Sequence, residues 1–334
     1  MTGGATLRVA AIDCGTNSIR LLIADLPTGG GPPQEVTRQM EIVRLGEGVD
    51  RTGRLTPAAI ERTRVALAGY TDEIKRLGAE RIRMVATSAS RDADNAEDFR
   101  EMVRVTLGGV AGSGEALCVA PEVVSGDEEA RLSFTGAVGD LLPARNLVID
   151  IGGGSTEFVV GSTEVDAAIS VDIGCVRLTE RHLHGDPPTA AQIEAASHDI
   201  EAAVDRALAV VGAAAIGPAD VGPAGVGRAP IERVIGLAGS VTTVAAIALN
   251  LSRYQPERIH HTRVSTVDVE RITADLLAST RERRLAIPVM HPGRADVIGA
   301  GALILRTILR RTAAPAVIAS EHDILDGIAL SLAG

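Results

Sequence analysis

Tryptophan is absent from this 334-residue sequence and aromatic residues make up only 1% of it, so the stacking platforms that hold single-stranded nucleic acids are missing. A net charge of −10 removes the general basic surface as well. No nucleic-acid partner is expected, and a polyanionic ligand has to be met by a local basic path. Lysine is reduced to Lys75 alone. The arginines that replace it can grip phosphate oxygens in a bidentate way, but so complete a bias is the mark of a GC-rich genome rather than of a ligand. Three cysteines, Cys14, Cys118 and Cys175, are odd in number and far apart, which argues against a disulfide framework or a zinc site. They read as reduced, small apolar residues, with Cys14 open to a second reading as an oxidation-sensitive thiol inside a turn. No apolar run approaches the length of a membrane span, and a first strand starting by about Leu7 leaves no room for a signal peptide. The expectation is a cytoplasmic globular protein without a membrane partner, its 46% hydrophobic content enough for two cores.

Glycine, in contrast, is plentiful and placed in a pattern. Residues 147–161 read LVIDIGGGSTEFVVG, a β-branched run ending on Asp150, three glycines, and a second apolar run after Glu157, which is strand, tight turn, strand. Gly152, Gly153 and Gly154 let backbone N–H groups approach a ligand with no Cβ in the way. Ser155 and Thr156 add hydroxyl donors, and Asp150 and Glu157 put two carboxylates at the turn. The combination suits a phosphate whose charge is shared with a divalent cation, and also an ordinary glycine hairpin.

A second copy favours the first reading. Residues 9–24 read VAAIDCGTNSIRLLIA; with Asp13 laid on Asp150, Gly15 falls on Gly152, Ser18 on Ser155, and Arg20 on Glu157. The turns match in shape and differ in charge. An internal repeat of this kind predicts two similar lobes, 1–140 and 141–334, each offering a phosphate loop to a shared cleft.

Between the repeats, Thr56 and Pro57 cap and open a helix over 57–77, and a strand over 81–86 delivers Thr87, Ser88 and Arg91 to a loop before a helix over 95–107. Hydroxyls and a guanidinium at such a place make an anion site or a plain serine cap with a solvated arginine. A short strand is expected over 117–119. Ser125 and Glu128 then have capping-box spacing, which gives Glu128 a structural task. Glu129, about 100° further round the helix, is left to act as a water-activating base or as a first-turn charge favoured by the helix dipole. In the second half, residues 212–230 read as a surface loop. A strand over 231–237 leads through Ala238, Gly239 and Ser240 to a helix from Val241, a turn fit for a nucleotide, a phosphate tail or close packing. His260 and His261 lack metal-ligand partners in sequence and read as surface residues. A closing helix is expected over 324–332.

Taken in order, AIDCGTNSIRLLIA, VATSASR, SGDEEARL, VIDIGGGSTEF, GCVRLTE, LAGSVTT and RADVIGAGA resemble the exopolyphosphatase and guanosine pentaphosphate phosphohydrolase (Ppx/GppA) family over nearly the whole sequence. SGDEEAR with DIGGGSTE is the specific pair. The resemblance implies an α/β, two-lobe, duplicated fold of the actin, sugar kinase and Hsp70 type, with Glu129 as the catalytic glutamate. It also implies Mg²⁺ or Mn²⁺ and phosphate contacts at Asp150, Gly152, Gly153, Gly154, Ser155 and Glu157, together with Thr16, Asn17, Ser18 and Arg91. The wider candidate set adds Asp13, Gly15, Arg20, Thr87, Ser88, Thr156, Gly239 and Ser240. The implied reaction is metal-assisted hydrolysis of the terminal phosphoanhydride of inorganic polyphosphate, with pppGpp as competing substrate and ppGpp as a further ligand.

Cys14 and Thr16 depart from the Leu and Ser frequent in that turn of relatives. Long members continue into helical domains beyond the second lobe, and the shorter sequence here implies short polyphosphate chains. A kinase or ATPase with LAGSVTT as its adenosine loop, and a non-catalytic polyphosphate or alarmone sensor, are the alternatives; a homodimer is compatible with the sequence but not legible in it.

Overall fold

The computed structural model describes residues 6–108, 121–139, 141, 144–212 and 231–333. The expected strand over 117–119, Cys118, and all but the first residue of the 212–230 loop lie outside them. The chain divides into two compact units, one of Met1–Gly136 with Ile324–Gly334 and one of Ala137–Asp323.

The first unit is built on a sheet of β1 (Thr6–Cys14), β2 (Ser18–Pro27), β3 (Gln34–Ile42), β4 (Arg81–Ala86) and β5 (Glu122–Val123), ordered β3-β2-β1-β4-β5. The first three strands form an antiparallel meander; β4 and β5 run parallel to β1. β1 is apolar without alternation because both of its faces are covered. Ala10, Ile12 and Cys14 belong to one core cluster with the helices Pro57–Leu77 and Ala96–Leu107, while Val9 and Ala11 belong to another with Leu132, Ile324, Leu325 and Ile328. The helix Ile324–Leu330 is therefore part of the first unit's core, whereas the sequence reading kept it with the lobe that precedes it.

The second unit has β6 (Asn146–Ile151), β7 (Thr156–Gly161), β8 (Val165–Val171), β9 (Arg233–Leu237), β10 (Arg263–Ser265) and β11 (Ala316–Ala319), ordered β10-β11-β9-β6-β7-β8. Read from the other edge, β8-β7-β6-β9-β11 repeats β3-β2-β1-β4-β5, antiparallel and parallel pairs included. Register repeats as well. Cys14 pairs with Ile19 and Ile151 with Thr156, Asp13 with Arg20 and Asp150 with Glu157, each at the same offset. The duplicated α/β fold is thus present down to single residues.

Local signals place several boundaries. Thr56 accepts from Ala59 N–H, Pro57 opens its helix, and Gly78 closes it with φ of 70°. Thr189 and Gln192 form a capping box at the head of Ala190–Val211. Among the described residues no helix is long and apolar enough to cross a membrane.

Candidate active site

In the first unit, the turn of residues 15–18 is closed by Gly15 N–H donating to the Ser18 carbonyl at 2.9 Å. Its outer carbonyls are held by the loop that follows β3: Gly46 N–H donates to Thr16 O (2.9 Å), and Val43 and Arg44 N–H donate to Asn17 O (3.1 and 2.9 Å). A Cβ on Gly46 would lie 2.4 Å from Thr16 Cγ2, so a glycine is needed for this close approach. Thr16 and Ser88 share a buried hydroxyl contact of 2.9 Å, and Thr87 N–H donates to Cys14 O. The expected anion loop and the first glycine turn are therefore one structure. Across the hairpin, Arg20 Nη2 meets Asp13 Oδ2 at 2.6 Å. Cys14 is buried and burial pushes its thiol well up, so it stays protonated and inert, as a packing residue does.

Glu128 and Glu129 separate as the helical repeat requires. Glu128 N–H donates to Ser125 Oγ at 3.2 Å, half of the expected capping box, but the Glu128 carboxylate is exposed and accepts from Arg83 at 3.0 Å. Arg83, on β4, also holds Glu122 and outcompetes the local reach back to the cap. Glu129 points inward with its side chain 10% exposed, and Arg91 Nη1 donates to its Oε2 at 3.2 Å and to Val124 O at 3.3 Å. Sequence reasoning named both residues of this pair but not the contact between them.

In the second unit, Gly152 N–H donates to Ser155 O at 3.0 Å, the counterpart of the first turn. Here the carbonyls are held by the start of the helix Cys175–Arg181. Cys175 N–H donates to Gly152 O (2.9 Å), Val176 and Arg177 N–H to Gly153 O (2.9 and 3.1 Å), and Arg177 Nε to Gly154 O (2.8 Å). Peptide planarity then aims the N–H groups of Gly153, Gly154 and Ser155 the opposite way, and they have no acceptor among the described residues. Three successive outward amides have the arrangement of an anion-binding nest. Gly174 makes this possible, since a Cβ there would sit 2.3 Å from Gly153 O. Gly174 and Arg177 escaped the sequence reading because their partners lie some twenty residues away; the only signal was the GCVRLTE motif, which gives no role by itself.

Asp150 and Glu157 are register partners on neighbouring strands, so their side chains share a face, and both are nearly buried. Ser170, the partner of Glu157 on β8, donates to Glu157 Oε1 at 2.7 Å. Like charges directly opposite each other destabilise a sheet, and a divalent cation on this face would lessen that repulsion. No cluster of three or more potential His, Cys, Asp or Glu ligands occurs among the described residues. Two carboxylates fit Mg²⁺, which keeps several waters and takes phosphate oxygens. Thr156 has a different task from the one expected: fully buried, it donates its only hydroxyl proton to Ile173 O at 2.5 Å and braces β7 against the loop before Gly174.

Gly239 and Ser240 do not form a separate glycine turn; the helix Ala238–Ala248 begins before them. The Arg294 guanidinium lies over Gly239, where a Cβ would come within 2.3 Å, and Arg294 Nη1 donates to Thr243 at 3.2 Å. Ser240 packs against Gly301 beside Cys175, whose acidity burial suppresses. Ser240 thus lies near the first residue of the helix that holds the glycine turn. His260 stacks on His261 at 3.8 Å and lies 4.4 Å from His322, a neighbour that the sequence did not suggest.

A profile of the Ppx/GppA phosphatase family matches residues 22–334. Exopolyphosphatase 2 of Mycobacterium tuberculosis is 47% identical over 341 aligned positions, covering 99% of this chain and 100% of that one. The crystal structure of an exopolyphosphatase-like protein, 39% identical, covers 98% of this chain and 99% of its own with a TM-score of 0.86. That of the Ppx/GppA family member of Aquifex aeolicus, 29% identical, covers 98% of each chain at 0.76. Sequence and fold agree, and the chain belongs to the Ppx/GppA phosphatase family.

Proposed function

We propose that this protein is an exopolyphosphatase, hydrolysing the terminal phosphoanhydride of inorganic polyphosphate. The observation that carries the reading is the 152–155 turn, with three outward amides beside two opposed carboxylates, in a chain 47% identical to a protein named as an exopolyphosphatase. Gly153, Gly154 and Ser155 N–H bind non-bridging phosphate oxygens, and Asn17 and Ser18 supply the equivalent groups of the first turn. Asp150 and Glu157 would hold Mg²⁺ or Mn²⁺, which when bound would neutralise charge on the phosphate oxygens. Glu129 takes the proton from the attacking water. Arg91 orients that carboxylate through the 3.2 Å contact and answers the charge of the transferred phosphoryl group. The terminal anhydride of pppGpp offers the same chemistry and is the competing substrate.

Phosphate release from short polyphosphate, long polyphosphate, pppGpp and ATP, with Mg²⁺, tests the reading and ranks the substrates. Glu129→Gln should lower kcat by roughly 10²- to 10⁴-fold, the usual worth of a general base, with the melting temperature retained. A wild-type protein that binds polyphosphate and pppGpp but cleaves neither would overturn the hydrolase reading, and an undiminished Glu129→Gln would remove Glu129 from it.

A further inference from the structure

The two glycine turns are held in different ways, and the difference isolates one side chain. In the first unit the Asn17 carbonyl accepts two backbone amides, those of Val43 and Arg44. At the corresponding position of the second unit, the Gly154 carbonyl accepts from the Arg177 side chain through Nε at 2.8 Å, its donor among the described residues. The Gly152 and Gly153 carbonyls are held by backbone amides of the helix start. Ser155 N–H shares a peptide plane with Gly154 C=O and points opposite to it. The direction of the third amide of the nest is therefore fixed by a side chain, while the first two are fixed by the fold.

Building on the reading of this turn as the phosphate cradle, we propose that Arg177 is a positioning residue for substrate phosphate: its Nε holds the Gly154 carbonyl and so aims the Ser155 amide at a phosphate oxygen. Arg177 is half-buried on the first turn of its helix, and its backbone N–H already holds Gly153 O at 3.1 Å. One residue thus fixes two successive peptide planes, the second through the rigid planar guanidinium. A lysine keeps the charge but has no secondary N–H in that plane, so the role depends on geometry as well as on charge.

The test compares wild type, Arg177→Lys and Arg177→Ala, following the Ser155 amide resonance during titration with inorganic tripolyphosphate and Mg²⁺, alongside steady-state hydrolysis of polyphosphate. We expect wild type to show a tripolyphosphate-dependent Ser155 shift that both variants lose. KM should rise roughly 10- to 100-fold, the worth of one charge-assisted hydrogen bond, with a smaller change in kcat. Added guanidinium ion should restore part of the Arg177→Ala defect, and methylammonium should not. Arg177→Lys with wild-type KM and Ser155 shift would overturn the proposal and leave Arg177 as a simple charge. A wild-type protein with no Ser155 response to tripolyphosphate would overturn the cradle reading itself, and this proposal with it. Guanidinium rescue separates loss of the contact from failure to fold, since a misfolded variant is not restored by a small ion.

Discussion

Gly174→Ala is the substitution for which the structure gives the sharpest forecast. The added Cβ would lie 2.3 Å from Gly153 O, 2.4 Å from Gly153 C and 2.5 Å from Gly154 N. All three are backbone atoms, so no flexible side chain can swing aside, and contact at ordinary distance requires about 1 Å of separation between turn and helix. Such a shift takes the 2.9, 2.9 and 3.1 Å bonds from Cys175, Val176 and Arg177 N–H beyond hydrogen-bonding range. Overpacking costs about 1–3 kcal/mol and each lost bond about 1 kcal/mol. The two penalties are alternative routes of relaxation in part, so about 2–4 kcal/mol is expected for the second unit. For a unit of that size the melting temperature should fall by about 5–15 °C. The freed Gly152 and Gly153 carbonyls also let the amides of Gly153 and Gly154 rotate, so KM for polyphosphate should rise in the protein that remains folded. Gly69→Ala is the control: it lies on an exposed helical face with nothing within 4 Å of its Cβ and should be neutral or stabilising by up to about 1 kcal/mol. Scanning calorimetry with steady-state kinetics decides. A Gly174→Ala protein that melts with the wild type and keeps its KM would refute the claim that this close approach holds the turn.

Two further outcomes follow from the packing. Gly327→Ala would place a Cβ 2.0 Å from Leu132 O, on the helix that carries Glu129; it should destabilise the first unit by about 1–3 kcal/mol, and unchanged urea unfolding would count against it. Burial raises the phenols of Tyr70 and Tyr254, which hydrogen-bond Ile19 O at 3.0 Å and Thr242 and Glu321 at 2.6 and 2.7 Å. The unfolded chain loses these protons from about pH 10 while the native state keeps them, so the unfolded state binds fewer protons and stability falls as pH rises above that value. Melting curves from pH 8 to 11 should show this, flattened by Tyr70→Phe with Tyr254→Phe; phenolate absorbance titrating at its ordinary value in the native protein would contradict it.

Much of the site was legible because its signals are local. The repeat around Asp13 and Asp150 could be read residue by residue, and the structure keeps that alignment in strand register. Capping spacing separated Glu129 from Glu128 even though Glu128 turned to Arg83, a partner more than forty residues away that no spacing rule reaches. The roles of Gly174, Arg177 and Gly46 were hidden for the same reason: each acts on a turn contributed by a distant segment. Thr156 looked like a phosphate donor by position, and tertiary contact committed its proton to Ile173. The helix at Ala238 starts earlier than its glycine suggested, with Ala238 itself at φ of 65°, a conformation that sequence propensity assigns to Gly239 instead.

The membership of Ile324–Leu330 in the first core has a consequence for biosynthesis. Residues 137–323 are continuous, so the second unit can complete its core while the polypeptide is still attached to the ribosome. The first unit, although begun earlier, lacks Ile324, Leu325 and Ile328 against Val9 and Ala11 until residues 324–330 have been made. That face of β1 stays only partly covered until residues 324–330 have been made, and the second unit can mature before the first.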